Sequence, residues 1–76
     1  MTTINELREK GAKTGTRVRY VPIHAHDDRT HPDCEDGAIS SYNDTNVFVK
    51  FDSAVGRLGW DQTTSQACDP ETLILL

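Results

Sequence analysis

The alternation of residues 47–51 is the feature that most narrows the fold of this chain. The segment is Val-Phe-Val-Lys-Phe, and a period of two places neighbouring side chains on opposite faces of a β-strand. Residues 43–46, Asn-Asp-Thr-Asn, tolerate turn dihedral angles and separate this strand from a second β-prone segment at 37–42. The pair therefore predicts a β-hairpin. The side chains expected to face the core are Val47, Val49 and Phe51, and those expected to face outward are Phe48 and Lys50.

Three further segments predict short strands. Residues 16–23 are rich in β-branched and aromatic residues, and Pro22 ends the hydrogen-bonding ladder of that strand. Residues 63–68 predict a fourth strand and residues 73–76 a fifth. Between them, residues 69–72 predict a turn or a single turn of 3₁₀ helix.

The chain begins with a segment that predicts a short helix over residues 3–10. Thr3 and Glu6 have the spacing of a capping box, in which each side chain satisfies a backbone N–H at the start of the helix. Gly11 supplies a stop signal. We expect the helix and its lead-in to occupy residues 1–14.

Two longer segments, residues 24–36 and 53–62, predict loops, and with 76 residues the chain has room for one domain, residues 1–76. A long first loop, a tight hairpin and a helical turn before the last strand resemble SH3-like barrels of the Tudor and KOW kind. We therefore expect a mainly β fold, a small closed SH3-like barrel of about five short strands with a short N-terminal helix.

The apolar residues are too dispersed for a membrane protein. No apolar run approaches the roughly 20 residues that a transmembrane helix needs, and the chain lacks the charged and apolar regions of a signal peptide. We therefore expect a cytoplasmic protein that does not bind membranes. In that reducing compartment Cys34 and Cys68 are expected to be free thiols.

Charge is distributed unevenly along the chain. Residues 1–19 carry five bases and two acids, a balance of +3, whereas residues 20–76 carry three bases and ten acids, a balance of −7. Acids are concentrated in the predicted loop at 24–36, which is a solvated loop, an acidic contact surface for a partner protein or a partial mimic of nucleic acid. Exposed aromatic residues are enriched at protein interfaces. The residues expected to bind such a partner are Asp27, Asp28, Glu35, Asp36, Phe48 and Trp60.

Nucleic-acid binding is an alternative function. Arg17 and Arg19 are expected to project from one face of the first strand, and Lys50 from the outward face of the third. The competing interpretation is that the two arginines pair with some of the many acids. A net charge of −4 predicts weak and salt-sensitive binding to a polyanion.

A zinc-stabilised module is a further alternative, because all three histidines fall within eight positions. Imidazole nitrogen and thiolate sulfur are the ligands that zinc prefers, and four of them form a closed structural site. The spacing is not that of a standard zinc motif, so a metal-free, hydrogen-bonded loop is the competing interpretation. Cys68 is a substitute ligand if the barrel brings it near. The candidate metal ligands are His24, His26, His31 and Cys34, and no other cofactor is expected.

Enzymatic activity is not expected. The chain has no phosphate-binding glycine loop, nucleophile elbow or dinucleotide fingerprint. Residues 15–19 resemble the Gly-x-Arg-Val-Arg start of the plasmid-borne type II dihydrofolate reductases, which are also SH3-like chains of about this length. Those enzymes carry a Val-Gln-Ile-Tyr strand segment, however, and in the comparable stretch of this chain only Gln66 matches it.

From Gly15 onward the chain resembles a group of small uncharacterised proteins encoded by phages and prophages. The resemblance covers about three-quarters of the chain and implies a non-enzymatic accessory protein of a phage or mobile element, acting in the bacterial cytoplasm by binding a host or phage protein. An apolar last strand at residues 73–76 also makes homodimerisation by strand pairing an expectation. The segments that carry the resemblance are Arg17-Val-Arg-Tyr-Val-Pro22, His24-Ala-His26, His31-Pro-Asp-Cys-Glu35, Gly37, Val47-Phe-Val-Lys-Phe51, Gln66-Ala-Cys-Asp-Pro70 and Leu73.

Overall fold

A single antiparallel sheet of five strands, with two short α-helices, forms the structure, a computed structural model that describes residues 2–76. Two 3₁₀ turns, at Ile23–Ala25 and Pro70–Thr72, complete the regular structure of that part of the chain. The helices and strands are α1 (Ile4–Glu9), β1 (Arg17–Tyr20), β2 (Glu35–Tyr42), β3 (Val47–Phe51), α2 (Asp52–Leu58), β4 (Gln66–Cys68) and β5 (Leu73–Leu75).

The sheet has the strand order β4-β3-β2-β1-β5 and curls into a half-barrel. A register shift between Ile39 and Ser41 interrupts the pairing of β2 with β3, and such irregularities increase local bending. The mainly β fold with five short strands and an N-terminal helix is thus confirmed. The expected closure is not reached, because β4 and β5 lie at opposite edges of the sheet.

The hairpin of β2 and β3 follows the predicted alternation. Val47, Val49 and Phe51 are buried, whereas Phe48 and Lys50 are half-buried on the other face. Gly37 of β2 lies opposite Phe51, and a Cβ there would come within 2.8 Å of the Lys50 carbonyl oxygen. The main core lies inside the half-barrel and consists of Ile4, Leu7, Val18, Ile39, Val47, Val49, Phe51, Cys68 and Leu73.

Helix α1 packs its apolar face into this core. The Thr3 hydroxyl accepts a hydrogen bond from the Glu6 N–H (3.1 Å), as the capping pattern predicts. Leu7 is completely buried, and Gly11 takes a left-handed conformation (φ 68°) just after the helix. A helix of six residues is unstable in isolation, so its packing against the sheet provides most of its stability.

Helix α2 corrects the prediction of a loop over residues 53–62. It has no side-chain N-cap and no buried residue, and Gly56 lies inside it. The ion pair between Arg17 of β1 and Asp52 joins its first turn to the sheet. After the helix, Gly59 (φ 83°) donates its N–H to the Val55 carbonyl (2.8 Å). Gly59, directly after the last helical residue, is the end signal that the sequence offers for this helix.

The remaining boundaries differ from the predictions by a few residues. β1 ends at Tyr20, before Pro22, and β4 begins at Gln66 rather than at residue 63. β2 begins two residues earlier than predicted, at Glu35, because the end of the acidic loop pairs with β1.

Along the first loop, a small second cluster of buried residues covers the other face of β5. It contains Val21, Ala25 and Ile74, and Cys34 packs against it.

The edge of β5 is largely occupied within the chain. The Leu73 carbonyl accepts a hydrogen bond from the Thr2 N–H (3.2 Å), and the Leu73 N–H donates to the Pro70 carbonyl. The register with β1 leaves only the Leu75 N–H and C=O directed at this edge. This strand therefore offers little backbone for the pairing through which homodimerisation was expected.

Neither helix in the described part of the chain has the length and apolar character that crossing a membrane requires.

Candidate functional site

The loop between β1 and β2 is folded by a series of turns. His26 and Asp27 have left-handed backbone conformations (φ 51° and 62°) directly after the first 3₁₀ turn. Further along, the His31 N–H donates to the Asp28 carbonyl (3.1 Å), and the Cys34 N–H donates to the His31 carbonyl (3.0 Å). The loop is therefore held by its own hydrogen bonds.

Two of the histidines meet in this loop. His24 Nε2 lies 2.6 Å from Asp33 Oδ2, and the ring centroids of His24 and His31 are 5.4 Å apart in an edge-to-face arrangement. The hydrogen bond from His24 holds the pKa of Asp33 below its usual value. One ligand atom from each of His24, His31 and Asp33 lies within 4.8 Å of the other two.

The other two candidate metal ligands lie outside this cluster. His26 is exposed and lines a groove together with Ile23 and Asp27. The Cys34 thiol lies 3.3 Å from the Asp28 carbonyl and packs against the second core cluster. Cys68, the proposed substitute ligand, is buried in the main core, and its burial raises the pKa of its thiol. Of the predicted ligands, the structure therefore brings His24 and His31 together, and the residue that lies beside them is Asp33 rather than His26 or Cys34.

Two of the acids expected to bind a partner are engaged within the chain. The Asp28 carboxylate accepts hydrogen bonds from the Thr30 hydroxyl (2.7 Å) and the Thr30 N–H (2.9 Å), which lower the pKa of Asp28. Asp36 forms a bidentate pair with Arg19, with distances of 2.6 and 3.1 Å, and this pair lowers the pKa of Asp36. Asp27 and Glu35 are the two acids of the set that each line a groove.

The basic side chains expected to contact nucleic acid are also engaged. Arg19 pairs with Asp36, its cross-strand neighbour on β2, and Arg17 pairs with Asp52. Lys50 donates to the Trp60 carbonyl (2.7 Å), and its ammonium lies 4.6 Å from the centroid of the Trp60 ring. Two of these groups are thus neutralised in ion pairs, in agreement with the competing interpretation of the arginines.

The two aromatic residues expected at a protein interface lie away from the acidic loop. Phe48 is half-buried on β3, between Ser41 of β2 and Ala67 of β4. Trp60 is half-buried after α2, with one face of its ring covered by Lys50. These aromatic rings therefore present little free apolar surface.

Two grooves flank the 3₁₀ turn at Pro70–Thr72. The larger groove, about 490 Å³, lies beside the start of the chain and the segment that follows β1. The smaller groove, about 300 Å³, lies at the open side of the half-barrel, near the end of β1 and the start of β2. Asp69 and Thr72 line both, so the two grooves are neighbours on the surface.

Carboxylates surround these grooves. Asp27, Asp69 and Glu71 line the larger groove, Glu35 lines the smaller one, and no lysine or arginine among residues 2–76 lines either. We call this surface, defined by the four carboxylates and the two grooves, the acidic end. None of its carboxylates takes part in the ion pairs of the described residues, although the Asp69 carboxylate caps the second 3₁₀ turn by accepting a hydrogen bond from the Glu71 N–H (3.0 Å).

Apolar side chains also line the grooves of the acidic end. Ile23 is 84% exposed at the rim of the larger groove. In the smaller groove, Tyr20 and Phe51 pack edge to face with ring centroids 6.0 Å apart. The surface therefore offers both negative charge and apolar contact area.

Sequence reasoning missed Asp69 and Glu71 as site residues because they were assigned only to a turn. Their proximity to Asp27 and Glu35 depends on the pairing of β5 with β1, which brings the second 3₁₀ turn beside the first loop. Three acids within residues 61–71 were the available signal.

Comparison with known proteins found no matching family model, no matching curated protein and no matching solved structure.

Proposed function

We propose that this protein is a non-enzymatic interaction module whose acidic end binds a basic, partly apolar segment of a partner protein. The observation that carries the proposal is the set of four carboxylates that line two adjoining grooves, which no lysine or arginine within residues 2–76 lines. A host or phage protein as partner, a phage or mobile-element origin and a bacterial cytoplasmic location belong to the same proposal and rest on the sequence resemblance.

Charge complementarity defines the partner. The carboxylates that line the two grooves attract a cationic segment, and this attraction weakens as salt screens it. The acids elsewhere on the sheet are less available, because Asp36 and Asp52 are already paired with arginines. The acidic end is therefore the surface best suited to lysine or arginine side chains.

The apolar groups at the same surface favour a protein segment over a simple cation. Ile23 and the half-buried Tyr20 offer contact area for aliphatic parts of a partner, including the methylene stems of lysine and arginine. An aromatic ring beside a carboxylate also favours a cation through its quadrupole. Glu35, which lines the smaller groove with Tyr20 and Phe51, provides that combination.

Fluorescence anisotropy with a labelled peptide of alternating lysine and leucine tests the proposal. The double variant Glu35→Gln, Glu71→Gln removes two charges from the acidic end. Each exposed charge pair contributes about 0.2–1 kcal/mol, so Kd is expected to rise roughly 2- to 30-fold. The matched control, Glu6→Gln with Glu9→Gln, makes the same change in net charge on α1 and is expected to leave Kd within twofold.

Two results would contradict this function. Equal weakening by both double variants would mean that the peptide responds only to net charge. The absence of saturable peptide binding by the unmodified protein at low salt would refute the proposal that the acidic end is a binding surface. A peptide in which glutamine replaces lysine serves as the ligand control and is expected to bind much more weakly.

A further inference from the structure

The cluster of His24, His31 and Asp33 combines two imidazoles with one carboxylate. Its three donor atoms lie within 4.8 Å of one another. A tetrahedral zinc ion with bonds of about 2.1 Å separates its ligand atoms by about 3.4 Å. The donor atoms are therefore within about 1.4 Å of the required separations, a difference that rotation of two exposed side chains and the half-buried His31 ring can make up.

We propose that His24, His31 and Asp33 bind one zinc ion, with water completing its coordination. Imidazole nitrogen and carboxylate oxygen are both zinc ligands, and two histidines disfavour magnesium and calcium, which prefer oxygen. The ligand set differs from the one expected from the sequence, since Asp33 replaces both His26 and Cys34.

The backbone already holds the ligands near one another. His24 belongs to the first 3₁₀ turn, and hydrogen bonds from the His31 and Cys34 amides fold residues 28–34 into successive turns. The Asp28 carboxylate secures the same segment through Thr30. Little chain entropy is therefore lost when the ion binds.

The exposure of the cluster makes this a metal site that is open to solvent. The side chains of His24 and Asp33 are 63% and 60% exposed, which leaves room for water at the remaining coordination positions. An ion bound here replaces the proton shared between His24 Nε2 and Asp33 Oδ2. It links the two ends of the segment 24–33, which includes the two left-handed residues His26 and Asp27.

The backbone amide of Asp33 reports on binding. This N–H donates to His31 Nδ1 (3.0 Å). Zinc at Nδ1 takes the same lone pair, and zinc at Nε2 moves the ring proton onto Nδ1, so either mode breaks the hydrogen bond. Zinc addition is therefore expected to shift the Asp33 amide resonance strongly in a ¹H–¹⁵N correlation spectrum.

Isothermal titration of the metal-free, untagged protein with zinc tests the proposal. One zinc per chain is expected, and His24→Ala or His31→Ala should weaken binding at least tenfold. Two matched controls, His26→Asn and Cys34→Ser, change the neighbouring ligand-type side chains and should bind within twofold of the unmodified chain. Asparagine is chosen for position 26 because it tolerates the left-handed backbone there.

Thermal denaturation provides a second readout that does not depend on heats of binding. Free zinc at a hundred times Kd should raise Tm by on the order of 10 °C in a domain of this size, whereas magnesium should not. Absence of zinc binding below about 100 μM would overturn the proposal. Loss of binding in His26→Asn or Cys34→Ser equal to that in His24→Ala would overturn the ligand set.

Discussion

The packing of α1 against the half-barrel predicts that Leu7→Ala severely destabilises the protein. Leu7 is completely buried in the main core. Replacing such a leucine by alanine costs about 2–5 kcal/mol, because transfer energy is lost and a cavity remains. A domain of this length has a total stability of roughly 4–11 kcal/mol. The substitution therefore removes a large fraction of the free energy of unfolding.

Leu58→Ala is the matched control, because it makes the same change in the other short helix. Leu58 is 50% exposed, and α2 buries none of its residues. Its expected cost is below about 1 kcal/mol. Urea denaturation followed by circular dichroism measures both variants, with the m-value unchanged if both unfold in one cooperative step.

Equal costs for the two leucine substitutions would refute the role assigned to α1. The helix would then be an attached segment rather than part of the core. Two further contacts join α1 and the residues that follow it to the hairpin. Arg8 of α1 pairs with Asp44 in the hairpin turn, and the Tyr42 hydroxyl donates to the Ala12 carbonyl (2.7 Å).

Two other predictions concern stability. Gly37→Ala should cost about 1–3 kcal/mol because its Cβ would meet the backbone of β3. Gly56→Ala has open space around it and should stabilise α2 by about 0.5–1 kcal/mol. Thermal denaturation of the two variants measures both effects, and equal shifts in Tm would contradict the prediction. Arg17 holds the pKa of Asp52 below its usual value, so the ion pair stabilises the fold above about pH 4 and this contribution is lost as the pH falls through the lowered pKa. Because both side chains are about half exposed, Asp52→Asn should lower the free energy of unfolding by at most about 1 kcal/mol at pH 7 and by nothing near pH 2. Urea denaturation at the two pH values measures this difference, and a cost that grows as the pH falls would contradict the predicted pH dependence.

The sequence allowed prediction of the elements with strong local patterns. Val47–Phe51 alternates, and Thr3 has the capping spacing, so β3 and α1 were predicted close to their observed bounds. Helix α2 was missed because seven residues with an internal glycine and no N-cap give little local preference for a helix. The ion pair that joins its first turn to β1 links Asp52 and Arg17, which are 35 residues apart in the sequence.

The candidate sites were harder to predict because they depend on contacts between distant segments. Arg19 and Asp36 are 17 residues apart and meet only through the register of β1 with β2. Glu71 joins Asp27 at one groove only when β5 pairs with β1. The histidine loop was recognised from its composition, but turn geometry rather than spacing selects which of its side chains meet.

The most direct measurement of the proposed function is a ¹H–¹⁵N correlation spectrum recorded during titration with the lysine–leucine peptide. Shift changes are expected at the amides of Tyr20, Ile23, Glu35 and Glu71, which belong to the acidic end. The surface around Trp60 should remain unchanged. Changes concentrated at Trp60 and along the outer face of β3, with none at the four named amides, would contradict the proposal that the acidic end is the binding surface.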